Sequence, residues 1–381
     1  MYAPHPYRHF WRFSISGSPY LRAHLEYAMR FKAIFSAFIL ILMAASPLAA
    51  QENSITLVTH DSFSISEDVL AQFTEETGIS VEILRAGDAG LMVNQAVLTA
   101  ANPLGDVMFG IDNTFLTRAF TADVFLPYES PMLADVPENF ILDDENRVTP
   151  VDFGDVCLNY DIQFFEESGL ALPETLLDLT KPEYRGLLVT PNPALSSPGL
   201  AFLAATAAVF GDSDDDDGYT YLDFWQELVA NEVFVSEGWT DAYYGQFSGS
   251  AGSEGDRPLV VSYASSPPAE VYFAEDAEAP APTAAITAPD TCFRQIEFAG
   301  ILNGTDNVEA AQQFIDFVLS KAFQEDMPLN MFVFPVIADA VLPDVFAEYA
   351  SIPEQPVLVD ADMIDANRDR WIQEWTETVL R

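Results

Sequence analysis

The sequence predicts an α/β protein of two lobes, each a mostly parallel sheet flanked by helices, and three observations carry that expectation. Strand-like and helix-like segments alternate between Ile55 and Gly110 in the order β-α-β-α-β, as in a parallel sheet with helices on both faces. About 330 residues follow an N-terminal leader, too many for one simple core and suited to two. Hydrophobic residues make up 49% of the chain, enough to fill both.

The leader comes first. Arg30 and Lys32 precede an apolar run from Ala33 to Ala45, closed by Ser46-Pro47-Leu48-Ala49-Ala50. That is the pattern of a secretory signal peptide, and the run is too short to span a bilayer comfortably. Met29 directly precedes the charged pair and reads as the start, so residues 1–50 are set aside as leader. No Cys lies near the cleavage end, so no lipid anchor is expected, and the destination is the periplasm. No second apolar stretch is long enough to cross a membrane, so a transport role would be that of a partner to a membrane protein.

Charge narrows the function. The chain holds 16 Lys and Arg against 59 Asp and Glu, a formal net charge of −43. The leader carries five basic residues (Arg8, Arg12, Arg22, Arg30, Lys32) and one acidic (Glu26), so 11 basic oppose 58 acidic residues after it, a net −47. Such a surface repels nucleic acid and anionic lipid and attracts cations; it also maintains solubility. Two cysteines, Cys157 and Cys292, lie in a compartment that permits disulfides, and a structural bridge between them is expected. His5, His9 and His24 belong to the leader, leaving His60 alone, so a multi-histidine metal site is excluded and any Ser-His or Cys-His mechanism must use His60. No metal or cofactor is expected, and neither a GxxxxGK[ST] nor a GxSxG motif occurs.

Along the chain, Ile55–Thr59 is a β-branched run. A helical pattern around Val69, Leu70 and Phe73 follows and ends at Gly78. Val81–Leu84, a second helical pattern around Leu91, Val93, Val97 and Leu98, and Val107–Gly110 complete the alternation. In such sheets ligands bind beyond the carboxyl ends of the strands, which here carry His60-Asp61-Ser62, Gly87-Asp88-Ala89-Gly90 and Asp112-Asn113-Thr114. The same residue types also cap helices, and both roles are open to them. Val151–Tyr160 reads as a further strand leading into the second lobe.

The segment from Thr190 to Gly199 is a loop that opens an apolar helix over Leu200–Phe210, with Ser196 or Ser197 before Pro198 as its start. Free N–H groups there suit a phosphate or carboxylate, or simply an N-cap. Aromatics sit beside turn residues in Gly238-Trp239-Thr240-Asp241-Ala242-Tyr243-Tyr244 and in Val260–Pro267, with Tyr263 among them, an arrangement suited to a flat or cationic ligand. The acidic run Asp212–Gly218 lacks the distal Glu of a calcium loop and reads as a solvated connection. Ala274–Pro289 reads as a flexible surface loop.

Six strings in order resemble one known family. They are Thr59-His60-Asp61-Ser62-Phe63, Gly110-Ile111-Asp112-Asn113, Ser196-Ser197-Pro198-Gly199-Leu200, Gly238-Trp239-Thr240-Asp241-Ala242-Tyr243, Val261-Ser262-Tyr263-Ala264-Ser265-Ser266-Pro267 and Trp371-Ile372-Gln373-Glu374-Trp375. Together they resemble the thiamine-binding proteins of bacterial thiamine ABC transporters, within the two-lobed (type II-like) periplasmic binding proteins. The resemblance implies a first lobe over 51–151, a second over 152–299, and a return to the first over 300–381 with C-terminal helices. Hinge crossings would fall at Val151–Gly154 and Glu297–Gly300. It further implies a monomer that captures thiamine or a thiamine phosphate and delivers it to an ABC permease.

Ligand contacts implied by the family fall on His60 (usually Tyr), Asp88, Ser196, Ser197, Trp239, Tyr263 and Phe332 (often Trp). Asp61, Asp112, Asn113 and Tyr243 join them from the strand-end and aromatic-loop readings. Thiamine carries an aminopyrimidine and a permanently charged thiazolium. Asp88 could pair the amino edge, Trp239, Tyr263 and Phe332 could face the rings, and Ser196 and Ser197 could hold a hydroxyl or phosphate tail.

Two family aromatics are missing: a Trp in the stretch Ser64-Ile65-Ser66 and a Tyr near Ala269, for which Tyr272 or Tyr244 could substitute. Three rival readings remain open here. Asp88, Asp112 and Asp152 would suit a polyamine, and Tyr243-Tyr244 invites ferric ion. Cys157 with Asp155 or Glu297 would serve a thiaminase-like cysteine enzyme, a role that a disulfide would disable.

Overall fold

In a computed structural model, which describes residues 53–212, 218–276 and 279–381, the first strands are the apolar runs read from the sequence, slightly extended: β1 (Ser54–Thr59), β2 (Ser80–Arg85) and β3 (Val107–Asp112). β1 pairs in parallel with both neighbours, in the order β2-β1-β3. The signal peptide, Ser213–Asp217 of the acidic run, and Ala277 and Glu278 lie outside the described residues. Helix Glu67–Thr77 starts where the Ser66 hydroxyl accepts the Val69 N–H and stops at Gly78 (φ 72°), a left-handed position that favours glycine. Its buried Val69 and Phe73 are the apolar face that the sequence spacing indicated. They pack with Phe63, Phe109, Phe314 and Phe323 into the core of the first lobe.

After the short β4 (Phe125–Leu126), strand β5 (Thr149–Asp161) runs for 13 residues into the second lobe. There β6 (Leu188–Pro191), β7 (Phe234–Ser236) and β8 (Leu259–Tyr263) repeat the parallel pattern, with β6 between the other two. β9 (Thr283–Ile286) pairs with β5. β10 (Phe293–Leu302) lies antiparallel to both β5 and β3, and β11 (Phe334–Pro335) adds to β5. One path, β2-β1-β3-β10-β5-β8-β6-β7, therefore links two parallel regions through two long antiparallel strands. The two-lobed α/β architecture expected from the sequence is the one observed. The β10 register slips between Glu297 and Phe298 against β5, and between Phe298 and Ala299 against β3. Such irregularities bend a strand.

Helix Ser197–Phe210 is buried on nearly all sides, as its continuous apolar composition requires. Cys157 and Cys292 form a disulfide that ties β5 to the start of β10 across 135 residues of sequence.

Three expectations are corrected. Part of the expected loop Ala274–Pro289 is strand β9, with Thr283 and Ile286 buried against β5. Its Thr-Ala-Ala-Ile run is too short and too poor in large β-branched residues to read as a strand alone. Asp212 is not a solvated link, since its carboxylate accepts Arg370 Nη2 at 2.5 Å and Trp371 Nε1 at 3.2 Å. The C-terminal helix Ala361–Val379, expected with the first lobe, packs largely on helices Ser197–Phe210 and Tyr221–Ala230 of the second. Trp375 meets Trp225 edge-on and Glu374 accepts the Tyr221 hydroxyl, while Arg118 of the first lobe reaches Asp369 at 3.6 Å. Its two fully buried tryptophans needed a groove of this depth, and the second lobe's helix pair provides it.

Candidate functional site

The strand ends do converge, as the parallel topology demands. A cavity of about 570 Å³ lies between the lobes, with His60, Asp61 and Asp88 on one side and Ser197, Trp239, Tyr243 and Tyr263 on the other. Phe332 and Glu297 close its remaining walls. This volume suits a small organic molecule.

Asp88 is the N-cap of helix Ala89–Leu98 and accepts the Ala89 N–H at 2.7 Å. Its other oxygen accepts the backbone N–H of Trp239 from the opposite lobe at 3.0 Å. A methyl group on Gly238 would sit 2.7 Å from that oxygen, so the loop needs glycine to come this close. Burial raises the Asp88 carboxyl above its ordinary value, opposed by the Trp239 N–H.

Trp239 is fixed from three directions. Its Nε1 donates to Ser262 Oγ at 2.9 Å, and Tyr243 stacks behind it at 5.2 Å with planes 19° apart. Tyr263 stands 6.4 Å away, and its hydroxyl accepts Gln295 Nε2. Phe332 holds a left-handed backbone (φ 56°), unusual for a bulky residue and a form of strain found where function needs a side chain aimed.

His60 is buried, and its Nε2 lies 3.5 Å from Glu297 Oε2. Burial, the largest single influence, works against the charged imidazole, but the Glu297 carboxylate together with Asp88 and Asp61 raises the pKa. Gly110, at φ 95°, leaves the space that the ring occupies.

Asp112, Asn113 and Ser196 were expected at the ligand and do not line the cavity. Asp112 is fully buried; it accepts the Thr114 amide and hydroxyl on one oxygen and the Ser197 hydroxyl of the other lobe on the second. Burial raises its carboxyl to about 6. Asn113 clips β3 to β10, donating to Arg294 O and accepting the Ile296 N–H. Asp152, of the polyamine reading, is buried in the strands between the lobes with neither oxygen hydrogen-bonded; burial and then Glu297 push it well above the carboxylate range. Backbone N–H groups at strand ends need partners, and short polar side chains such as Asp112 and Asn113 met that need instead of facing the cleft.

The sequence reading placed Glu297 at a hinge crossing and in the rival enzyme pair but not in the ligand lining, and it did not name Phe273; both line the cavity. Glu297 alternates with Ile296 and Phe298 inside β10, so it shares a face with Gln295, but the run reads as wholly buried. Phe273 is two-thirds exposed and lies four residues beyond Ala269, one helical turn along the same face, where it meets Phe332 at 5.8 Å. Among the described residues, five carboxylates line the cavity (Asp61, Asp88, Glu237, Asp241, Glu297), and no Lys or Arg does. Chemically, the site offers aromatic faces and negative charge. Among the described residues no group of three or more His, Cys, Asp or Glu is arranged to hold a metal ion.

Residues 102–366 match the family model of bacterial extracellular solute-binding proteins. The chain is 27% identical over 347 residues to the thiamine-binding periplasmic protein of Salmonella typhimurium, covering 90% of this chain and 98% of that one. It is 25% identical over 360 residues to the thiamine-binding periplasmic protein of Brucella suis, covering 93% and 100%. A solved structure described as a periplasmic thiamin binding protein superposes with a TM-score of 0.74 at 26% identity, covering 87% of this chain and 98% of that one. Iron-bound HitA from Pseudomonas aeruginosa superposes at 0.66 with 19% identity, over 85% and 99%, which is a likeness of fold.

Proposed function

We propose that this chain, which belongs to the bacterial extracellular solute-binding protein family, captures thiamine between its lobes in the periplasm, delivers it to an ABC permease and performs no chemistry on it. The observation that carries the reading is the lining: Trp239, Tyr263 and Phe332 beside five carboxylates, with His60 as the one basic side chain among the described residues there. A flat cation is the ligand such a lining favours, through ring stacking and cation–π contact. Asp88 pairs the aminopyrimidine edge and the aromatic faces take the rings. The thiamine-binding relatives support the choice of thiamine.

Capture follows from the cross-lobe contacts. Asp88 to Trp239 and Asp112 to Ser197 both join the lobes, so they belong to the closed form and are broken on opening. A ligand that touches both lobes favours that form. The hinge lies at Val151–Gly154 and Glu297–Gly300, a placement supported by the β10 register slips.

A cysteine-enzyme reading needs a thiol at Cys157, and that sulfur is bonded to Cys292. Thiol titration of the denatured, unreduced protein is expected to return none. Ferric capture is disfavoured by Tyr243, which is fully buried and stacked on Trp239 with its plane 78° from that of Tyr244.

Calorimetric titration of purified protein, stripped of ligand by unfolding and refolding, against thiamine and spermidine tests the proposal. One-to-one thiamine binding with intact ligand recovered is expected. Binding of spermidine alone, or of neither, would overturn it.

A further inference from the structure

His60 and Glu297 stand together on the wall of the cleft, His60 8% exposed and Glu297 7%. His60 Nε2 lies 3.5 Å from Glu297 Oε2, and neither atom meets any other hydrogen-bonding group. A buried carboxylate needs a counter-charge. Among the described residues no Lys or Arg lines the cavity to supply one, so without ligand the counter-charge at hand for Glu297 is a proton on His60. The charged groups facing the imidazole are all acidic: Glu297 on β10, Asp88 at the start of helix Ala89–Leu98, and Asp61 next along the chain. β3 meets the ring with Gly110, which carries no charge. Asp112 at the end of β3 and Asp152 on β5 feel Glu297 as well, and burial pushes both toward the neutral acid. A cationic ligand seated against Asp88 and Glu297 brings a second positive charge beside the imidazole. Two like charges in one buried site repel; the ligand's charge is permanent, whereas the imidazole's is a proton that can leave.

We infer that the cationic ligand and the His60 proton compete for Glu297, so that capture releases that proton to solvent and is weaker in acid. The inference rests on the thiamine reading above and deepens it: His60 is the residue that sets how ligand affinity depends on pH. Burial opposes charge on the ring, but Glu297 with Asp88 and Asp61 holds the proton to higher pH than in a free histidine, so the competition is felt near neutral pH.

His60 is the only histidine beyond the leader, so untagged protein lacking residues 1–50 gives one imidazole Hε1 signal in proton NMR. With saturating thiamine that signal should titrate at lower pH than without it. By linkage, thiamine affinity measured by calorimetry should rise with pH, by up to about tenfold per pH unit while the ligand-free protein keeps the proton. His60→Gln keeps a polar side chain that does not titrate, and it should lose most of that slope. A His60 midpoint left unmoved or raised by saturating thiamine would overturn the inference and leave the proposed function standing. A slope kept in full by His60→Gln would also overturn it, by placing the released proton on a carboxylate or on the ligand's own aminopyrimidine. No binding of thiamine at any pH would overturn the proposed function, and this inference with it. If His60→Gln fails to fold, the NMR midpoint of the parent protein still decides.

Discussion

The Asp88 carboxylate of one lobe accepts the backbone N–H of Trp239 of the other at 3.0 Å while capping its own helix through Ala89. One side chain therefore takes part in local folding, lobe closure and the charge of the cleft. These roles can be separated. Asp88→Asn has one acceptor oxygen where Asp88 uses two, so it can keep the Ala89 cap, and the helix with it, but sets an NH2 against the Trp239 N–H; the affinity for a cation should drop by about 1.5 to 3 kcal/mol. Calorimetry on both proteins, with melting curves, reads the two effects independently. An unchanged affinity would remove Asp88 from the ligand.

Trp239→Ala or Tyr263→Ala should weaken thiamine binding by about 1 to 3 kcal/mol each without unfolding the protein. Trp239 is half-buried and stacked on Tyr243, so its loss leaves the lobe core intact. If both variants bind as the parent does, the aromatic faces lie elsewhere in the cleft.

Gly110 makes room for His60. A Cβ at Gly110 would fall 2.1 Å from His60 Cδ2, and the backbone there is at φ 95°. Gly110→Ala should cost about 2 to 4 kcal/mol in urea unfolding, from strain and clash together. Adding His60→Ala should recover the clash part and leave the strain, a non-additive result that a double-mutant cycle measures.

Acid should stabilise the fold over a defined range. Burial raises Asp112 to about 6, so between roughly pH 4 and 6 the folded protein keeps a proton that the unfolded chain has lost. Its contribution is favourable below that window and is lost as pH rises through it. Asp88 and Asp152, raised by burial, act in the same sense. So does His60, raised against its burial by Glu297, Asp88 and Asp61 together, whose contribution is present while the ring is protonated. Asp178, lowered to about 2 chiefly by Lys181, works the other way only at lower pH. The melting temperature should therefore climb as pH falls from about 7 to about 5, and Asp112→Asn should flatten part of that climb. A melting temperature that falls over this range would refute the account.

By itself, the sequence determined the features that depend on spacing and composition. Apolar periodicity located β1 to β3 and their helices, a left-handed stop at Gly78 ended the first of these, and strand-end position brought His60, Asp61 and Asp88 to the cleft. Two cysteines in an exported chain were enough to expect the bond that the structure contains. Orientation was not legible, because a short polar residue at a strand end can face a ligand or satisfy a backbone N–H, and only the packed neighbours choose. Tertiary structure turned Asp112 to Ser197, Asn113 to β10 and Asp152 into the strands between the lobes. It also seated the C-terminal helix on the second lobe, where Trp371 and Trp375 found a groove deep enough to bury them, and brought Glu297 and Phe273 to a cavity that no local pattern announces. Periodicity is a property of neighbours along the chain; which lobe a helix covers and which carboxylate meets which helix end are decided by contacts between residues far apart in sequence.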